Sequence, residues 1–146
     1  MSPANAIETD LATRLRLVVT RTARRLRQEA GTSLTPSLAA ALATVERHGP
    51  LTPSELAEIE RVKRPTATRL VHKLADAGLV QRATDPKDGR VSLVSITPAG
   101  SALLRRMRER KSAYLARRLA GLPPEDVAAL ERAAGVLERL LEEGRR

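Results

Sequence analysis

The sequence predicts a mainly α-helical chain that carries one small β-hairpin. Aromatic residues are nearly absent, because Tyr114 is the only Tyr and there is no Phe or Trp. A core must therefore be built from Leu, Val and Ala, which suits packed helices better than a sandwich of sheets. Residues 52–98 supply the second observation, since two helical patterns are followed there by two short apolar runs around a turn.

The first half of the chain predicts two helices behind a loose tail of residues 1–9. Helical spacing of apolar residues continues to about Ala30, and Gly31 ends this first helix. Thr35 and Pro36 mark the next start, as N-cap and first helical residue, and Gly49-Pro50 ends that helix. The apolar stripes of the two helices are Leu11, Leu15, Val18, Val19 and Leu26, and then Leu38, Ala41, Leu42 and Val45.

The sequence between Thr52 and Ile96 predicts two further helices and the hairpin. Thr52 and Glu55 form a capping box, and the short helix behind it is expected to direct Leu56 and Ile59 inward. After a turn at 60–63, a fourth helix is expected from Arg64 to Ala77. Strands are expected to begin at Leu79-Val80 and to return through Val91, Leu93 and Ile96, with a turn at 85–89.

Two long helices are predicted at the C-terminal end. Thr97-Pro98 begins the first, which Leu122-Pro123-Pro124 interrupts, and an acidic pair opens the second. Leu104, Met107, Leu115 and Leu119 line the first of these helices. The second carries a narrow apolar seam that is too short for a free-standing coiled coil and must pack against something. The seam consists of Val127, Leu130, Ala134, Leu137 and Leu141.

Positive charge is concentrated in part of the chain, whose net charge is +9. Residues 61–98 hold eight basic and three acidic side chains, whereas residues 35–60 hold one and four. This distribution is typical of a nucleic-acid-binding surface. Residues 99–122 are also basic, with seven basic residues against one acidic residue, and the sequence assigns no partner to them.

The fourth helix has the chemistry of a helix that reads DNA. On a helical wheel its apolar residues fall on one face, and the outward face carries Arg69 and His72 beside Thr66, Thr68 and Lys73. Arg can bond both acceptors of a guanine edge, Thr can meet a thymine methyl, and Lys neutralises phosphate. The alternative is an ordinary surface helix, which also turns Arg and Lys outward.

The predicted hairpin tip is a second basic feature. Lys87 and Arg90 project from it, and an Arg at a β-tip can enter the narrow minor groove of DNA. Asp88 is placed to hold Arg90 by a charge-assisted hydrogen bond. A solvated hairpin is the alternative. Helix, turn, helix and hairpin in this order make a winged helix-turn-helix.

Four segments resemble the multiple-antibiotic-resistance-regulator (MarR) family. Asp88-Gly89-Arg90, five residues and Ile96-Thr97 resemble its wing, with Ile96 in place of the usual Leu. Residues 64–69 resemble the start of its recognition helix, residues 74–79 fit its Leu-any-any-any-Gly-Leu pattern, and residues 97–100 resemble its exit into the dimer helix. The resemblance implies one domain, 1–146, with a winged helix-turn-helix unit at 35–97 and dimerisation helices at 10–31 and 98–146.

The resemblance also implies roles for individual residues. Arg90 corresponds to the minor-groove residue, Asp88 to its positioner, and Thr66, Thr68 and Arg69 to major-groove readers. Lys63 departs from the family, which often has a Ser or Thr cap there, and this weakens the helix start by about 1 kcal/mol. The full predicted DNA-binding set is Lys63, Arg64, Pro65, Thr66, Thr68, Arg69, His72, Lys73, Lys87, Asp88 and Arg90.

The resemblance further implies a homodimeric, sequence-specific regulator of transcription. It would be a repressor on a pseudo-palindromic operator in double-stranded DNA, released by a small phenolic or lipophilic effector. The predicted dimerisation residues are Leu11, Leu15, Val18, Val127, Leu130, Ala134, Leu137 and Leu141. Two alternatives remain, a sequence-tolerant architectural DNA-binding protein and a helical protein-interaction module.

The sequence predicts no enzyme and no bound cofactor. His48 and His72 are the only histidines, and they lie too far apart in the chain to form a short metal-binding motif. No nucleophile elbow and no phosphate-binding loop are present. No run of about 18 apolar residues and no signal-peptide pattern occur, so neither a membrane span nor secretion is expected. The lack of Cys is compatible with a bacterial or archaeal cytoplasm.

Overall fold

A computed structural model describes residues 2–144 of the chain. Within that range the protein is mainly helical with one antiparallel β-hairpin, so the predicted fold class is confirmed. The elements are α1 (Pro3–Glu29), α2 (Pro36–His48), α3 (Pro53–Glu60), α4 (Arg64–Asp76), β1 (Val80–Thr84), β2 (Ser92–Ile96), α5 (Pro98–Ala120) and α6 (Pro124–Glu143).

The chain separates into two compact units, one ending at Lys111 and the other beginning at Ser112. The first unit encloses a core of aliphatic side chains, as the near absence of aromatic residues predicts. Between Ser112 and Gly144 no described residue is buried, so the second unit has no enclosed core of its own. The largest fully buried side chains of the first unit are Leu42, Val45, Leu51, Leu56, Val71, Leu74 and Val94.

Threonine caps begin α2 and α3 as predicted. The Thr35 hydroxyl accepts a hydrogen bond from the Leu38 amide at 3.3 Å. The Thr52 hydroxyl accepts one from the Glu55 amide at 3.1 Å and also lies 3.1 Å from the Glu55 carboxylate, to which it donates. These bonds satisfy amides that have no partner within the first helical turn. The two helix starts are therefore encoded locally.

The hairpin is anchored to the core at its open end. Val80 pairs with Ile96 there, and Thr84 pairs with Ser92 near the tip. Leu51, in the loop before α3, joins the edge of β2: its amide donates to the Val94 carbonyl at 3.0 Å, and its carbonyl accepts from the Val94 amide at 2.7 Å. The bridge joins the hairpin to the helix-turn-helix, and it was not predicted from the sequence.

The prediction of a loose tail at residues 1–9 is wrong for residues 3–9, because α1 begins at Pro3, and Met1 lies outside the described residues. Proline is well accommodated in the first turn of a helix, and neither Gly nor Pro interrupts the chain from there to Glu29. The other end agrees with the prediction: Ala30 is the C-cap, and Gly31 adopts a positive φ of 67°.

The predicted inward direction of Ile59 is wrong. Ile59 is 45% exposed, because the buried face of α3 is centred between Leu56 and Ala57 and Ile59 lies about 110° from that centre. Of the four residues predicted to line α5, Leu104 and Met107 are buried, and Leu115 and Leu119 are 37% and 38% exposed.

The returning strand differs slightly from its prediction. Val94, which breaks the predicted alternation, is fully buried, while Leu93 is half-buried. Val91 belongs to the turn, where its amide donates to the Asp88 carbonyl at 3.1 Å. Val94 lies two residues from Ile96 on the same face of the hairpin, and that face, which Val80 shares, packs against the core.

Candidate nucleic-acid interface

The orientation of α4 is fixed by four apolar residues. Ala67, Leu70, Val71 and Leu74 are all buried in the core of the first unit, as the helical wheel predicts. Because α4 has a single apolar stripe, burial of that stripe turns the opposite face of the helix to solvent. The structure therefore presents the predicted DNA-reading face outward.

The outward face of α4 is basic and open to solvent. Arg69, His72 and Lys73 are exposed, as are Lys63, Arg64 and Pro65 at its start, while Thr66 and Thr68 are half-buried. Within residues 2–144 none of the cations of this helix forms a salt bridge. Their charge is therefore available to an external anion.

The start of α4 lacks a side-chain cap, as expected from Lys63. Lys63 is the N-cap in extended conformation, and only its carbonyl serves the helix, accepting from the Thr66 and Ala67 amides at 3.0 and 3.1 Å. Arg61, two residues before Lys63, has a left-handed backbone conformation with a φ of 55°, which non-glycine residues rarely adopt. The turn between α3 and α4 thus exposes two basic side chains.

The tip of the hairpin is ordered by two aspartates. The Asp85 carboxylate accepts from the Lys87 amide at 2.8 Å, and the Asp88 carboxylate accepts from the Arg90 amide at 3.0 Å. The Asp88 side chain therefore holds the backbone of Arg90. The Arg90 guanidinium is exposed and forms no salt bridge with any residue in the described range.

The hairpin is held between the end of α4 and the start of α5. The Thr97 hydroxyl donates to the Gly78 carbonyl at 2.6 Å and accepts from the Gly100 amide at 3.1 Å. Gly100 packs so closely that a Cβ there would lie 2.2 Å from the Leu79 carbonyl oxygen. This packing fixes where the hairpin leaves the core relative to α4.

Arg82 is a residue of this surface that was not predicted from the sequence. It is exposed on β1, and its Nη2 lies 3.3 Å from Nδ1 of His72 on α4. The signal in the sequence was the alternation of the strand, which puts Arg82 on the same face as the buried Val80. That face turns toward the core, so the Arg82 side chain leans toward α4.

Apolar side chains are exposed on the two terminal helices, which lie in different units. On α1, Leu11, Leu15 and Val18 are exposed by 53%, 36% and 54%. On α6, Ala134 is exposed, Leu137 is half-buried, and the remaining predicted seam residues are exposed: Val127, Leu130 and Leu141. Apolar surface of this extent is typical of an interaction surface.

A cavity of about 390 Å³ lies in the first unit, between α1, α2 and α5. Its walls are mostly apolar and include Ala30, Leu34 and Met107, and Arg27 and Lys111 are also part of its lining. Arg108, another lining residue, is paired with Glu46 at 2.9 Å.

Neither a metal site nor a membrane span is found from Ser2 to Gly144. No group of three His, Asp or Glu side chains in that range is placed to hold a metal ion. No helix in the same range is both long and apolar enough to cross a bilayer.

Comparison with known proteins identifies relatives. The chain matches the MarR family model over residues 34–92. It is 39% identical over 134 residues to an HTH-type transcriptional regulator of Mycobacterium tuberculosis, a match that covers 91% of this chain and 94% of that protein.

Solved structures with a similar fold include a MarR family protein from Bacillus stearothermophilus. The TM-score is 0.79 at 25% identity, and the match covers 100% of this chain and 99% of the other. A mutant of MepR from S. aureus bound to an oligodeoxyribonucleotide is similar in fold alone, with a TM-score of 0.70 at 18% identity over 91% of this chain and 96% of the other. The chain belongs to the MarR family of transcriptional regulators, which are DNA-binding proteins and not enzymes.

Proposed function

We propose that the protein is a dimeric, sequence-specific repressor that binds a pseudo-palindromic operator. In this proposal α4 lies in the major groove and the hairpin tip lies in the minor groove. One observation carries it: α4 and the tip are two exposed basic elements held by the same small core, and their cations form no salt bridge within residues 2–144.

Base recognition in the major groove is assigned to the first half of α4. An α-helix fits that groove, and residues near its N-terminus reach the base edges. The exposed Arg69 can donate two hydrogen bonds to a guanine edge, and Thr66 and Thr68 can contribute a hydroxyl or contact a thymine methyl. These three residues are the proposed readers of sequence.

Arg90 is assigned to the minor groove. Its backbone is held by Asp88 at 3.0 Å while its guanidinium remains exposed, so the side chain is presented from an ordered turn. The minor groove concentrates negative potential where it is narrow, which favours an inserted Arg. Its base code is degenerate, and Arg90 is therefore expected to contribute more to affinity than to sequence discrimination.

The remaining basic residues are assigned to phosphates. Lys63, Arg64, Lys73 and Lys87 are exposed around α4 and the hairpin tip, and His72 and Pro65 belong to the same surface. Neutralising phosphates releases counterions from DNA, so binding should weaken steeply with salt. The S. aureus protein of similar fold was solved with bound DNA, which supports DNA as the partner.

The proposed homodimer uses the exposed apolar faces of α1 and α6. Covering these side chains against a second copy would remove them from water, which is the main favourable term in protein association. A two-fold dimer carries two copies of α4 and requires two half-sites about one helical turn apart. This requirement is the reason for proposing a pseudo-palindromic operator.

The cavity between α1, α2 and α5 is the proposed site of a small lipophilic or phenolic effector. Its volume of about 390 Å³ lies within the range of small-molecule pockets, and its walls are mostly apolar. Occupancy that favours a conformation with lower DNA affinity would release the operator. The proposed cycle involves no cofactor, and we expect it to take place in a bacterial or archaeal cytoplasm.

The test is selection of DNA duplexes from a random library by the full-length protein. The proposal predicts enrichment of a pseudo-palindrome that is bound at least a thousandfold more tightly than random duplex at about 0.15 M salt. Equal affinity for all duplexes would instead identify a sequence-tolerant architectural protein. Absence of binding even at low salt would identify a protein-interaction module.

A further inference from the structure

We propose that Arg82 is a positioning residue for His72, and that His72 reads the DNA through its Nε2–H. This inference rests on the proposed function, because it adds one reader and its support to the surface of α4. It starts from a single contact, in which Arg82 Nη2 on β1 lies 3.3 Å from His72 Nδ1 on α4.

The direction of that hydrogen bond follows from the chemistry of the two groups. A guanidinium has only donors, so the bond requires a lone pair on Nδ1 of His72. A neutral imidazole carries one proton, and with Nδ1 as acceptor that proton lies on Nε2. Arg82 therefore selects the tautomer in which Nε2 is a hydrogen-bond donor.

The position of His72 would allow this Nε2–H donor to reach the DNA. His72 is exposed on the outward face of α4, three residues beyond Arg69 and thus on the same side of the helix. A single N–H donor fits the acceptors that purines present in the major groove, namely N7 of either purine and O6 of guanine. His72 is therefore assigned one acceptor in the half of the site read by the later turns of α4.

The fold explains why Arg82 can perform this role. Val80 precedes it by two residues on the same face of β1 and is 3% exposed, and Val94, opposite Arg82 in the hairpin, is fully buried. The Arg82 stem thus starts from the core-facing side of the strand and is directed toward α4. The contact also connects the wing directly to the recognition helix, and within residues 2–144 no other side-chain hydrogen bond joins α4 to β1 or β2.

The first experiment observes the tautomer by nitrogen NMR of the full-length protein at about pH 8, where an ordinary imidazole is neutral. With only two histidines in the chain, exposed His48 is an internal control. Nδ1 of His72 should be unprotonated and shifted as a hydrogen-bond acceptor, and Arg82→Ala should change that shift without changing His48. A protonated Nδ1, or no response to Arg82→Ala, would overturn the inference.

The second experiment measures affinity for a duplex selected by the wild-type protein. His72→Gln keeps a donor at the ε position and should retain binding within about threefold, whereas His72→Asn places its amide at the δ position and should lose about tenfold. Equal losses for the two variants would show that no Nε2–H donor is used.

A double-mutant cycle tests whether Arg82 acts by positioning His72 or only through its own positive charge. Arg82→Ala and His72→Ala should be non-additive by at least about threefold, while the matched pair Arg90→Ala and His72→Ala, which share no contact, should be additive. Additivity of both pairs would make Arg82 an independent phosphate contact and overturn the inference alone. Failure of the wild-type protein to bind any DNA would overturn the proposed function as well.

Discussion

Gly100 shows how a single residue fixes the wing. A Cβ at this position would lie 2.2 Å from the Leu79 carbonyl oxygen and 2.8 Å from Cγ1 of Ile96. Gly100→Ala must push backbone away, and we expect the free energy of unfolding to fall by about 1–3 kcal/mol, measured by urea denaturation. Gly89→Ala is the control, since its Cβ would meet open space, and it should change stability by less than about 0.5 kcal/mol. Equal effects of the two substitutions would contradict the close packing.

Residue positions are predictable from sequence where one helix face decides them. The buried residues of α4 follow from periodicity alone, because burial of one stripe is all that the helix requires. Ile59 could not be placed this way, since α3 is only eight residues long and its orientation depends on α2, where the Thr44 hydroxyl donates to Glu60. The partnership of Arg82 with His72 depends on how β1 meets α4, which no local pattern encodes.

Lys63 is the clearest local weakness among the helices. It is the N-cap of α4 but makes no side-chain cap, whereas Thr52 caps α3 at 3.1 Å. Lys63→Ser should therefore raise the free energy of unfolding by about 1 kcal/mol, and Thr52→Ala should lower it by a similar amount. If Lys63 contacts a phosphate, the same substitution should also reduce the slope of log affinity against log salt by about 1. Unchanged or lower stability of Lys63→Ser would show that another group caps α4.

Element boundaries were predictable where the chain carries a start or stop signal. Thr35-Pro36, Thr52-Pro53 and Arg64-Pro65 each begin a helix where they were expected to, and the C-terminal end of α4 lies within one residue of its prediction. The beginning of α1 was misplaced by several residues, because its apolar stripe starts later than the helix itself. Apolar periodicity reveals a helix only where one face is buried. No residue of α1 from Pro3 to Glu29 is buried, so periodicity could not show where this helix begins.

At the scale of the whole molecule, the proposed dimer predicts that removing part of its interface causes loss of both assembly and solubility. Full-length protein should sediment as a dimer at micromolar concentration. Truncation after Gly121 removes α6 and should leave apolar surface uncovered, so that the protein aggregates or loses its fold. A charge-reversed α6 surface variant, Glu131→Lys, should remain soluble if the apolar seam alone drives association. A stable, soluble full-length monomer would contradict the proposed dimer.

The distribution of charge over the molecule leads to the contrast between Arg69 and Arg90. Both are exposed and neither belongs to the core, so alanine at either position should leave thermal stability at the wild-type level. The grooves proposed for Arg69 and Arg90 differ in how much base sequence they display. All four base pairs can be distinguished in the major groove, whereas the minor groove mainly distinguishes A·T from G·C. The two variants should therefore lose binding in different ways.

The decisive measurement is a salt titration of Arg69→Ala and Arg90→Ala on the selected operator and on base-substituted duplexes. Arg69→Ala should weaken the operator by about 1–3 kcal/mol and flatten preference at one base pair in each half-site. Arg90→Ala should weaken most sequences, reduce the salt slope, and lose discrimination mainly between A·T-rich and G·C-rich flanks. An equal shift of all sequences by Arg69→Ala, or unchanged affinity of Arg90→Ala, would contradict the assignment of helix and wing to the two grooves.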